Sequence, residues 1–147
     1  MSDNRSGRGA GRRALAALLI LGAAVTALYW WNFFAGGDVA ASRERWYLAF
    51  ESSFPAADAW MAICMLGAGL GLWSGKSWGA KLGLLAGSAL VYLAAMDIAF
   101  DLENGMYALA ATNDAMKFEI FINASTLLLG VWSIALCWVR LEGSPNV

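Results

Sequence analysis

The stretch "DIAFDLENG", Asp97 to Gly105, places three carboxylates at the end of an otherwise apolar run. Asp97 and Asp101 are four residues apart, so on a helix they share a face and repel each other. They also sit where a helix C-terminus would oppose negative charge. Three arrangements relieve this: a basic partner, a retained proton, or a bound cation. Other polar residues recur at a similar depth. Asp58 stands about one turn into the second apolar run, Glu119 and Asn123 one to two turns into the fourth, and Asn32 near the end of the first. At 1.5 Å per residue all of these fall within roughly 4 to 12 Å of one boundary of the apolar blocks. The expectation is a pocket lined by Asp97, Asp101, Asp58, Glu119, Asn123 and Asn32. It would recognise a cation, or a small cationic or polar molecule, through ionised oxygens. The alternative is a solvated acidic rim that caps loop N–H groups.

Other chemistry is poorly supplied. The chain has no His and only two Cys, Cys64 and Cys137, both inside apolar runs and not in a CxxC pair. His-dependent acid–base catalysis is excluded, a Cys/His zinc site is not expected, and both thiols read as small buried apolar groups. "DLENG" resembles the opening of a calcium loop, but the following "MYALAA" supplies no further ligands. Ser125 has no nearby base in sequence, and Asn123-Ala-Ser125 lies inside an apolar run where glycosylation cannot reach it. No cofactor is expected. Whether a metal is the cation is left open.

The elements that must hold these residues are bilayer spans. The 147-residue chain is 60% hydrophobic with eight Trp, and only 14% of it is charged, well below the roughly one quarter of a soluble domain. The apolar residues form four blocks of about twenty or more: 14–35, 54–73, 79–101 and 115–139. This predicts an all-α, polytopic membrane protein, a four-transmembrane-helix antiparallel bundle, with a flexible basic tail at 1–13 and a short tail at 140–147. Ser53 is a plausible N-cap for the second span, with Pro55 in its first turn. Asn113 or Asp114 suits the start of the fourth, and Asn104-Gly105 the end of the third.

Charge distribution sets the expected orientation. Arg5, Arg8, Arg12, Arg13, Lys76, Lys81 and Arg140 fall on one side, and only Arg43, Arg45 and Lys117 on the other. The positive-inside rule then puts both termini in the cytoplasm, at the inner (plasma) membrane. Nine of the eleven acidic residues gather at the opposite, outer side. "VAAS" at 39–42 offers an alternative, cleavage of the first span as a secretory signal. The length of that block and its "YWWNFF" end favour an interfacial anchor instead. The basic N-terminus reads as a topology signal, with no nucleic-acid partner.

Gly67, Gly71, Gly75, Gly79, Gly83 and Gly87 recur every fourth residue. Such stripes let helix backbones approach closely in a membrane. They are expected to pack helices within the chain, or alternatively to form a seam with a second copy or a partner membrane protein. Three functional classes follow. The first is binding or transport of a cation or small polar molecule, the second a non-catalytic membrane subunit or scaffold, the third a lipid-modifying enzyme with paired carboxylates. The first is favoured, and catalysis is not the expectation.

Overall fold

The computed structural model describes residues 3–36 and 40–142, with side chains from Gly9 onward. Asp38, the side chains of Arg5 and Arg8, and residues 143–147 of the expected C-terminal tail lie outside that description. Among the described residues the chain is helical: α1 (Asp3–Phe34), α2 (Arg45–Glu51), α3 (Pro55–Trp73), α4 (Ser77–Glu103), a 3-10 helix (Met106–Ala111) and α5 (Asp114–Glu142). Four helical stretches are long and apolar enough to cross a membrane.

Local chemistry sets the boundaries. Pro55 opens α3, where its missing N–H costs nothing. Ser53 does not cap it as expected: its hydroxyl donates to the Phe50 carbonyl at 2.6 Å, closing α2 instead. Phe54 occupies the cap position with no side-chain bond. Asn113 does cap α5, its Oδ1 accepting from the N–H groups of Ala115 (2.9 Å) and Met116 (3.4 Å). Gly105 follows α4 with φ 65°, and Gly75 joins α3 to α4 with φ 72°, a backbone state that only glycine adopts without strain. The helical backbone of α1 reaches back to Asp3, so residues 3–13, expected as a tail, continue the first span as helix. The four Arg favour helix there while Gly7, Gly9 and Gly11 oppose it, and a span already formed spares the segment the cost of nucleation.

Packing follows chain order. Helix α1 lies on α3, α3 on α4 and α4 on α5, while α1 and α5 meet only sparsely. Glycines permit the close passages. Gly71 lies against the backbone of Gly79 between α3 and α4, and Gly67 faces Leu82 there. Farther along α4 the stripe turns to α5: Gly83 faces Cys137 and Ser133, and Gly87 faces Gly130 and Ile134. The glycines therefore meet helices of the same chain. Gly69 against Ala16 and Ile20 of α1 adds a contact that the four-residue rhythm did not include. Buried Ser133 locks the α4–α5 seam by donating to the Gly83 carbonyl at 2.8 Å. Cys64 and Cys137 are buried and free, as the sequence suggests.

A methyl group has no room at these crossings. Gly71→Ala and Gly79→Ala should each destabilise by about 1–3 kcal/mol, the usual cost of overpacking. Gly9→Ala, with nothing within 4 Å of the added carbon, should cost nothing. Thermal melts of helicity in detergent test this, and equal effects at the three positions would contradict the packing.

Candidate functional site

The end of the molecule opposite the Gly75 turn gathers the acidic residues, and a cavity of about 390 Å³ opens there. Helix α1 contributes Tyr29 and Trp30, α2 Glu51, α3 Asp58, α4 Asp97, and α5 Glu119 and Asn123. Four of the six expected site residues, Asp58, Asp97, Glu119 and Asn123, thus line one space. Among the described residues the lining holds no Lys or Arg. Lys117 instead pairs with Asp114 on the exposed surface at 2.8 Å.

Two expected members are elsewhere. Asn32 is exposed and does not line the cavity. Helices α1 and α3 run antiparallel, with Ala16 near Gly69, Gly22 near Met65 and Trp30 bonded to Asp58. That register carries Asn32 to the level of Pro55, where α3 begins and the wall ends. Asp101 is fully buried but off the cavity. It lies one turn beyond Asp97, at the level where Tyr47, Met106 and Met116 pack into a separate apolar cluster. Tyr107 neighbours its carboxyl, yet neither oxygen of Asp101 reaches a partner in hydrogen-bond geometry. Sharing a helix face with Asp97 was therefore not enough to share its surroundings.

The sequence reading left out the donors. Trp30 Nε1 donates to Asp58 Oδ2 at 2.8 Å. Tyr29 donates its hydroxyl to Glu51 Oε2 at 3.1 Å. The Tyr47 hydroxyl lies 3.1 Å from Glu51 Oε1 and 2.9 Å from Glu119 Oε2. Glu51 and Tyr47 come from the short α2, read from sequence as loop. Their i, i+4 spacing in "RWYLAFE" was the available signal. Stacking of Phe50 on Phe100, ring centroids 3.6 Å apart and planes within 2°, fastens α2 to α4.

Three O···O contacts link Tyr29, Glu51, Tyr47 and Glu119, but the two tyrosines supply two hydroxyl protons. The third contact becomes a hydrogen bond only with a proton carried by a carboxyl.

Asp97 differs from its neighbours. It has Glu51, Glu119, Asp58 and Asp101 around it, and no hydrogen bond or ion pair among the described residues reaches its carboxylate. Asn123, only 3% exposed, leaves its Nδ2 group unpartnered. A buried donor in that state costs about 1–3 kcal/mol unless something fills the cavity beside it. Among the described residues no three acidic or Cys side chains converge as a metal cluster would. The carboxylates surround a space instead of closing on a point.

Comparison with known protein families, curated proteins and solved structures finds no match to this chain. Function must be read from the geometry.

The Tyr47 bridge makes a measurable prediction. Tyr47→Phe and Glu119→Gln should each lower stability, and their combination should be non-additive by about 0.5–3 kcal/mol, as for groups in one network. Strict additivity in a double-mutant cycle would mean that the bridge does not form in solution.

Proposed function

We propose that this is a four-span protein of the inner (plasma) membrane with both termini cytoplasmic. On this reading its outward-facing intramembrane cavity binds a cation or a small cationic or polar molecule, as a receptor site or as a step in transport. Topology rests on charge. Arg12, Arg13, Lys76, Lys81 and Arg140 lie at the end with the Gly75 turn, and the carboxylates at the other. The positive-inside rule assigns the basic end to the cytoplasm.

One observation carries the functional reading: Asp58, Asp97 and Glu119 line a shared cavity with no basic side chain among its described lining, and no described residue hydrogen-bonds or ion-pairs with Asp97. Ionisable groups at membrane depth are costly without a counter-charge, and a ligand cation supplies one. A scaffold would use the glycine stripes to bind other chains, but here the stripes are occupied by helices of the same chain.

The test is ligand-induced stabilisation, which grows with ligand concentration relative to Kd. Protein in phosphatidylcholine nanodiscs is melted with sodium, potassium, calcium, methylamine and tetramethylammonium, and with neutral and anionic isosteres of the two amines. At least one cation should raise Tm while the isosteres do not, and Asp97→Asn should weaken that effect tenfold or more. No response to any of the cations, or a response that survives in Asp97→Asn, overturns the reading.

A further inference from the structure

The cavity is acidic at only one end, and the remainder has a different character. From Trp30 the lining descends α1 through Val25 and Leu21 to Leu18, twelve residues or about 18 Å along the helix axis. Leu129 of α5 faces this stretch, and Met61 and Met65 of α3 back it. A second hollow at Leu18, Leu128 and Trp132 prolongs the seam. Since α1 and α5 meet only sparsely, the seam between them is open at the side. Leu21, Val25, Phe118 and Phe121 form its lips, and all four are exposed. In a four-span protein that side faces the acyl chains of the bilayer.

We infer that the cavity takes a single-chain amphiphile with a cationic amine head, which enters from the bilayer between α1 and α5. This rests on the proposed cation-binding role and names the class of cation. The amine sits among Asp58, Asp97 and Glu119, and its chain lies along the Leu18–Val25 stretch. Three features specify the occupant. The carboxylates face no basic lining residue among those described, so the head is positive. The wall below them is long and apolar, which a bare ion or a small amine leaves empty. Asn123, one turn from Glu119 in the same lining, is buried and leaves its Nδ2 unpartnered, so the acidic end holds a polar group that the fold itself does not satisfy. The spread of the carboxylates favours the same answer, because a dehydrated metal ion needs its oxygens drawn to a single point.

The experiment uses the full chain in phosphatidylcholine nanodiscs and a dodecylamine carrying a diazirine near its chain end. Illumination followed by peptide mapping should place the cross-links on the residues lining the seam. Dodecylamine should compete at least tenfold better than methylamine, and dodecanol and dodecanoate should not compete. Asp97→Asn and Glu119→Gln should reduce labelling tenfold. Val25→Trp and Ser125→Phe, which obstruct the seam at positions open to its mouth, should reduce it without altering helicity. Labels scattered over the lipid-facing surfaces, or undiminished in Val25→Trp and Ser125→Phe, overturn the inference. If methylamine competes as well as dodecylamine, the chain contributes nothing and the amphiphile is overturned while cation binding stands. If no amine competes, the inference falls, while cation binding itself stands or falls on the melting series with sodium, potassium and calcium.

Discussion

Carboxylates brought together in an apolar helix assembly, without basic side chains facing them in the cavity, are the constraint on which the rest of this structure turns. Charge at such a site must be offset, and the protein does this in part with neutral donors. An indole N–H serves Asp58, and phenolic hydroxyls serve Glu51 and Glu119. Donors of this kind hold the carboxylates of the cavity without supplying a positive charge. That distinguishes it from a buried salt bridge, where the partners would cancel and leave little to recognise.

The shape of the space follows from where the small residues lie. Backbone contacts through Gly69, Gly71, Gly79, Gly83 and Gly87 draw successive helices together in the half of the molecule nearer the Gly75 turn. Toward the acidic end the residues between the helices are larger, Met61, Met65, Leu93, Tyr29 and Trp30, and they line the cavity. Between α1 and α5 the fit is looser: a carbon added at Gly22 would lie 3.9 Å from Leu129 and one at Gly11 4.0 Å from Leu136, and the two helices meet only sparsely. The cavity lies along that side, between the first and last helices. Helix packing in a membrane depends on such local fits because water exclusion does not drive it.

Much of this was legible in the sequence for physical reasons. The four apolar blocks are each long enough to cross a membrane, and the glycine rhythm has a geometric meaning of its own. Asp58, Asp97, Glu119 and Asn123 shared a depth, and depth along a helix is set by residue count alone. What depth could not give was azimuth and closure. Asn32 lay at a suitable height on α1 but past the start of α3, and Asp101 lay under a lid formed by segments read as loops. Glu51 was missed for the converse reason: the seven residues of α2 are helical and lead into α3, so an acid read as part of a loop becomes a buried one. Tertiary folding of short segments is the least predictable part of a chain dominated by long helices.

The acids of the cavity are consequently not equivalent. Asp58 is held by Trp30, and Glu51 and Glu119 are tied into one chain of hydroxyls, so each has a position fixed by the fold. Asp97 lines the cavity too, but no described residue hydrogen-bonds its carboxylate. A group that is preorganised by its backbone but left without a partner loses little on meeting a ligand, because it has no internal bond to break. On the proposed reading the surrounding acids act through the field they create, and Asp97 through direct contact. Recognition would then fall to the cavity carboxylate that no described residue hydrogen-bonds, while Trp30 and the tyrosine hydroxyls hold its neighbours in place.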